Sequence, residues 1–389
     1  MNKKKKFFTI IDLGNYKLRL AVIDNNNETL FSLNELVKNN NSQDEINSLT
    51  SLIKTAEKKL SNHIDEVILL FDSNNICSID LSLKDEINLK ENLEKIYSSL
   101  LLEAKKLIEY NHPNYKILNS IISEYLLDGK VMETLPKNKN DFREIILNFK
   151  FICIPNENYI KIKNLFVENN IIIKNIFCSS YIKSLNYLKK LNTGDIIYFL
   201  DIGYERTTLN VFKSNKLYHI NSIPVGGNHI TKDISSLLKI DHDKSEELKK
   251  LFNRSEEEFS FNGEKTSESK ISANDLFKKV PIDILKKIIL ARVQEIIDLS
   301  FKTVFSSKDF PKDKLSNLIL VGDGSKIFDK NSFYFDKTFE FSEINFFEES
   351  DSEICQFAYN FYLDNEKLQS KVDKKLGLFS KFFRLFQIN

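Results

Sequence analysis

Apolar positions along the chain repeat with two different periods, and the switches between them mark out its elements. Residues 7–24 and 196–212 share one plan: an apolar run, an aspartate, one residue, a glycine, a short polar turn and a second alternating run. They read FFTIIDLGNYKLRLAVID and IIYFLDIGYERTTLNVF, the period-two pattern of β-hairpins. Further strands are expected at 28–36, 67–71, 76–83, 116–127, 143–151, 151–155, 171–177, 217–225 and 315–321. Helical spacing covers 42–61, where Ile46, Leu49, Leu52, Ile53, Ala56 and Leu60 share a face, then 89–110, 158–168, 179–191, 230–238 and 280–305.

The two Asp-x-Gly hairpins are one device made twice, and internal repetition of this kind decides architecture. It implies two related halves facing a shared cleft. Asp12 and Asp201 are carboxylates suited to magnesium, directly or through water. Backbone amides at Gly14, Asn15 and Tyr16, and at Gly203 and Tyr204, suit phosphate oxygens, as do the hydroxyls of Thr207 and Thr208. Lys17 follows the first bend and offers a cation to a phosphate. Gly226, Gly227 and Asn228 precede a helix, where exposed amides at the positive dipole end suit a phosphate or a ribose hydroxyl. The strand ending NLILV delivers Gly322, Asp323, Gly324, Ser325 and Lys326, a bend whose backbone can lie flat against a base or ribose. Each bend alone is equally an ordinary polar turn; repetition and order set them apart.

Composition narrows the picture modestly. The chain has 389 residues, 42% hydrophobic and 29% charged, as in a soluble globular protein of two or three domains. A net charge of +1 provides no global field for nucleic acid, so no nucleic-acid partner is expected. Cys77, Cys153, Cys178 and Cys355 form no CxxC pair and the five histidines are dispersed, giving neither a metal-ligand set nor a disulfide framework and fitting a reducing compartment. Lys3 to Lys6 before Phe7 imitate a signal peptide, but Asp12 and Lys17 interrupt the apolar run, so a mature cytoplasmic N-terminus is expected. No stretch reaches the roughly 18 apolar residues of a membrane span.

The last sixteen positions, 374–389, carry an amphipathic helical pattern. Leu376, Leu378, Phe379, Phe382, Phe383, Leu385 and Phe386 fall on one arc of about 180°, with Lys381 and Arg384 opposite and Lys374 and Lys375 just before. Docking on the protein's own core is one reading. An interfacial membrane anchor fits better, because 364–373 is polar and is expected to be a flexible tether. Full burial of seven such side chains releases ~10 to 20 kcal/mol, less at interfacial depth. Each basic residue adds ~1 kcal/mol on anionic lipid. A single anchor is reversible, so stable residence favours several anchors on one polymer.

In this order, with DIGYERTTLNVF, IPVGGNHITKDIS, LILVGDGSKI and ILNSIISEYLLDG, the chain resembles the bacterial cell-division protein FtsA family over essentially its whole length. The resemblance implies an α/β, actin-like (ribonuclease H-like) two-lobed ATPase fold with an inserted α+β subdomain and a C-terminal amphipathic helix. The parts are subdomain 1A at 1–71, 151–192 and 336–363; the inserted subdomain 1C at 72–150; subdomain 2A at 193–227 and 280–335; the charged subdomain 2B at 228–279; the linker 364–373; and the membrane helix 374–389. It also implies binding of ATP and Mg2+, polymerisation on the cytoplasmic face of the inner membrane at the division site, capture of the FtsZ C-terminal tail by the charged subdomain, and contacts with later division proteins.

Two departures stand out. GYERTT replaces a run of glycines, so Tyr204, Glu205 and Arg206 narrow the pocket, and Asp323 stands where glycine is usual. Asp12, Asp201 and Glu205 are the carboxylates near the site and none is clearly a catalytic base, so slow or negligible ATP turnover is expected. An actin-like assembly protein of a pilus or secretion machine (PilM-like) is the alternative, and a sugar kinase or phosphatase of the same superfamily is a third.

Overall fold

The computed structural model describes residues 7–37, 42–87, 93–132, 142–190, 196–258, 282–305, 316–327, 341–348 and 350–373. These fall into two compact units, one within 1–187 and 351–389, the other within 188–350.

In the first unit, β1 (Phe7–Leu13), β2 (Lys17–Asp24) and β3 (Thr29–Leu36) form an antiparallel meander, and β4 (Glu66–Phe71) and β9 (Ile172–Cys178) add in parallel, giving the order β3-β2-β1-β4-β9. Ile10, Ile11, Leu18, Leu20, Ala21 and Val22 are fully buried, as expected for strands covered on both faces. Alternation assigns the faces. Ile11, Leu20 and Val22 pack with Leu49, Leu52, Ile53 and Ala56 of α1 (Ser42–Leu60) and with Phe166 of α3 (Asn156–Val167). Phe8 meets Tyr359 at 4.9 Å between ring centroids, so a helix late in the chain covers the other face.

The second unit repeats this plan. β10 (Ile196–Ile202), β11 (Thr207–Lys213) and β12 (Lys216–Ile223) form the meander, with β13 (Ser316–Val321) and β14 (Glu343–Phe346) in parallel, in the order β12-β11-β10-β13-β14. Tyr198, Leu200 and Ile202 pack against α5 (Gly227–Leu238) and α7 (Ile282–Phe305); Tyr198 stands edge-on to Phe301 at 5.3 Å. The sequence repeat is thus a repeat of topology.

Between β4 and β9 lies the α+β insertion. Its sheet has the order β5-β8-β6-β7, from β5 (Cys77–Glu86), β6 (Tyr115–Leu127), β7 (Lys130–Met132) and β8 (Glu144–Pro155). Ile96, Leu100, Ala104 and Ile108 of α2 (Leu93–Asn111) bury against Leu147, Phe149 and Phe151.

Three expectations need correction. The runs at 143–151 and 151–155 are one strand, β8, so the boundary drawn at 150 falls inside a strand. Helix α4 (Ser179–Leu188) ends three residues early. The stretch 364–373, expected as a flexible tether, is the second half of α8 (Asp351–Asp373). DNEKLQSKVD holds neither glycine nor proline and is rich in good helix formers, so the helix propagates from a first half buried through Ile354, Cys355, Ala358, Tyr359 and Tyr362. The segment 374–389 and residues 259–279 of the charged stretch lie outside the described residues. No described helix is long and apolar enough to cross a membrane.

Candidate functional site

The first acidic bend is held from several sides. A Cβ on Gly14 would stand 2.6 Å from the Lys17 carbonyl oxygen, a backbone atom that cannot yield, so the turn requires glycine. Asp12, the last but one residue of β1, lies opposite Arg19, and its buried carboxylate accepts Arg19 Nη1 at 3.0 Å and Ser179 Oγ, from the first residue of α4, at 2.8 Å. Lys17, expected to face a phosphate, instead donates to Asp351 Oδ1 at 2.7 Å, and Arg19 Nε shares that oxygen at 2.8 Å. Burial works against ionisation of Asp351, but donors from Lys17 and Arg19 outweigh it and hold the carboxyl below its usual range.

A second carboxylate in this unit went unnoticed in the sequence. Asp72, just after the parallel neighbour β4, accepts the Ser180 amide at 3.0 Å and Cys178 Sγ at 3.2 Å. Burial, then the charge of Asp72, pushes the Cys178 thiol well up. Asp12 and Asp72 therefore both lie at carboxyl ends of parallel strands, around the first turn of α4, the place where open α/β sheets bind ligands.

In the second unit, three glycine turns meet backbone to backbone. The Gly203 amide closes its own bend on the Arg206 carbonyl at 2.8 Å. A Cβ on Gly226 would lie 2.6 to 2.7 Å from Gly203 O, Tyr204 O and Arg206 N. One on Gly324 would lie 2.7 Å from Ile202 O and 2.9 Å from Gly203 O. Gly322 has φ +87°, and a Cβ there would collide with Asp201 Oδ1 and stand 2.6 Å from Ile202 O. The four glycines exist so that the second bend, the start of α5 and the late bend can touch.

That contact changes what the groups can offer. The Gly227 and Asn228 amides, expected to face a ligand, donate to Gly203 O at 2.9 Å and Tyr204 O at 2.8 Å. Helix α5 begins three residues before the predicted start, and His229 Nδ1 accepts the Gly226 amide at 3.1 Å. The threonine hydroxyls are spent within the sheet: Thr207 Oγ1 donates to Val225 O at 2.7 Å and Thr208 Oγ1 to Ser222 Oγ at 3.3 Å. Glu205 Oε1 accepts Asn228 Nδ2 at 2.6 Å, which ties this carboxylate of the second bend to the start of α5. Lys326 pairs with Asp323 at 3.0 Å, and with Glu348 this raises its pKa against the opposing effect of burial. In the late bend, Ser325 Oγ donates to Gly322 O at 2.7 Å, and the bend continues as a 3-10 helix, Asp323–Ile327.

Two further residues join this junction. Lys249, on α6 (His242–Glu258), donates to Gly227 O at 3.0 Å, to Thr231 Oγ1 at 2.7 Å and to Glu246 Oε2 at 2.6 Å. Burial lowers the Lys249 pKa with Glu246 opposing, while Glu246, despite its own burial, is held down by Lys249. The i,i+3 Glu–Lys spacing was the available signal, hidden in a run of charges that resembles a solvated face.

Among the described residues no three His, Cys, Asp or Glu side chains cluster as a metal site. One carboxylate per bend is the donor set that suits magnesium held mainly by phosphates and water. Both Asp12 oxygens already have partners, Arg19 Nη1 on Oδ2 and Ser179 Oγ on Oδ1, and such an ion would have to share one of them.

A doubled five-stranded sheet, each copy carrying an acidic bend, defines the actin-like ATPase fold. In keeping with it, the chain superposes on the PilM–PilN type IV pilus biogenesis complex with a TM-score of 0.53 at 12% identity, over 94% of this chain and 98% of that one, a likeness of fold alone. Residues 198–325, which contain all three glycine turns, match the family model "Cell division protein FtsA". The FtsA of Neisseria meningitidis serogroup B is 22% identical over 342 residues, covering 83% of this chain and 79% of that protein. That of Helicobacter pylori is 26% identical over 88 residues, 23% of this chain and 18% of that one. The chain has the actin-like ATPase fold and is similar to the FtsA cell-division proteins.

Proposed function

We propose that this chain is a cell-division protein that binds ATP with magnesium, polymerises on the cytoplasmic face of the inner membrane at the division site, captures the FtsZ C-terminal tail and recruits later division proteins. The observation that carries the reading is the glycine junction around Gly203, Gly226 and Gly324 inside the segment matched to FtsA. Asp12 and Asp201 take part in holding the magnesium-nucleotide, which supplies charge neutralisation of the phosphates when bound. Gly14, Asn15, Tyr16, Gly203 and Tyr204 offer backbone to phosphate, and Gly322 to Lys326, with Glu246 and Lys249, border the nucleoside. Turnover is slow: one oxygen of Glu205 is already engaged by Asn228 Nδ2, and a hydrolase needs a positioned base. The charged subdomain 228–279 receives the FtsZ tail. The insertion at 72–150 serves filament and later-protein contacts.

Membrane binding rests on 374–389, with Leu376, Leu378, Phe379, Phe382, Phe383, Leu385 and Phe386 entering the interface and Lys375, Lys381 and Arg384 meeting anionic headgroups. The test is co-sedimentation with anionic liposomes and ATP, comparing the full chain with one ending at Asp373. Loss of binding on truncation supports the reading. Unchanged binding favours the pilus-assembly alternative.

A further inference from the structure

Arg19 holds two carboxylates at once. Its Nη1 donates to Asp12 Oδ2 at 3.0 Å and its Nε to Asp351 Oδ1 at 2.8 Å. Lys17 Nζ reaches that same Asp351 oxygen at 2.7 Å, and Asn34 Nδ2 reaches the other at 2.7 Å. Two cations balance two anions, in a place where the Arg19 and Asp12 side chains are only 8% and 4% exposed. A charge stripped of its partner in such surroundings is costly, so these groups rearrange together or not at all.

The far end of this chain of ion pairs is a helix terminus. Asp351 is the first residue of α8, where a carboxylate also complements the helix dipole. From there α8 runs unbroken to Asp373, directly before the amphipathic segment 374–389.

We propose, on the reading that the Asp12 bend takes magnesium-nucleotide, that Arg19 and Asp351 form a relay that reports ligand binding at Asp12 to helix α8. A divalent ion at Asp12 competes with the guanidinium for Oδ2, and a polyphosphate at the Gly14 turn draws Lys17 off Asp351. Both events unsettle the donors that fix the first turn of α8 to β2 and β3, and the helix start loosens. By linkage the effect is reciprocal: whatever immobilises α8 weakens ligand binding at Asp12 by the same factor.

Hydrogen exchange on the full chain, with and without ATP and magnesium, tests this. Backbone amides of residues 355–359, the first to bond back along α8, are expected to exchange about five-fold faster with ligand, in the range of ordinary coupling, while amides at 203–206 and 322–325 are slowed. In Asp351→Asn the α8 response disappears and the loop responses remain. An α8 that does not change in the native chain while the loops respond, or a response that persists in D351N, overturns the relay. No response at any of these places overturns the nucleotide reading and the relay with it. The native-chain comparison needs no variant to fold.

Discussion

Asn228 Nδ2 lies 2.6 Å from Glu205 Oε1, and so joins the second acidic bend to the first turn of helix α5 by a charge-assisted hydrogen bond between largely buried groups. His242 Nε2 meets Asn228 Oδ1 at 2.7 Å, which extends the link to α6. The bend is therefore fixed by side chains as well as by the Gly227 and Asn228 amides. Glu205→Ala leaves a buried amide donor without its acceptor and is predicted to cost about 1 to 3 kcal/mol in denaturant unfolding. Phosphate release stays slow in both proteins; a marked loss of turnover in E205A would make Glu205 a catalytic group after all.

Gly226→Ala drives a methyl against three backbone atoms at 2.6 to 2.7 Å. None can step aside without moving the bend, so a loss of about 1 to 3 kcal/mol is expected, together with weaker ATP binding. Gly129 provides the contrast. Its φ is +76° but nothing lies within 4 Å of its Cβ position, so G129A costs about 1 to 2 kcal/mol from backbone strain alone and leaves ATP affinity unchanged. Thermal unfolding and nucleotide titration on both variants separate packing at the junction from simple strain.

His229 supplies a pH dependence. Burial lowers its pKa, Glu205 opposes, and Lys232 and Arg292 add to the lowering. Its Nδ1 accepts the Gly226 amide, which requires that nitrogen to be unprotonated. A base whose folded pKa lies below its unfolded value gives no pH slope while both states are neutral. Stability is then lost as pH falls below the unfolded value of about 6.5, until the folded form protonates too. His229→Asn, which can keep an acceptor near that amide, is predicted to flatten the stability profile on the acid side of about pH 6.5. An unaltered profile would assign the acid sensitivity elsewhere.

The repeat was legible in the sequence because the chemistry of an acidic hairpin is local: Asp12 and Asp201 are each the last but one residue of an apolar strand and are followed two residues later by a turn glycine, and both bends appear where the pattern places them. The partners of those groups were not legible. Arg19 lies 332 residues from Asp351 and Ser179 lies 167 from Asp12, separations at which no periodicity carries information. The Gly226–Gly227 pair shows a subtler limit. Sequence correctly signals that backbone approaches something closely there, yet cannot say whether it is a ligand or another turn. Here it is Gly203 and Tyr204. The polar run 364–373 misled for a related reason, since polarity reports exposure while helix propensity decides the backbone.

Calorimetric titration of the full chain with ATP in magnesium bears most directly on the claim that both acidic bends serve nucleotide binding. One ATP bound per chain is predicted, with affinity falling about ten-fold or more in Asp12→Asn and again in Asp201→Asn, a change worth about 1.4 kcal/mol each. An affinity unmoved by either substitution, or no heat of binding in the native chain, would contradict it.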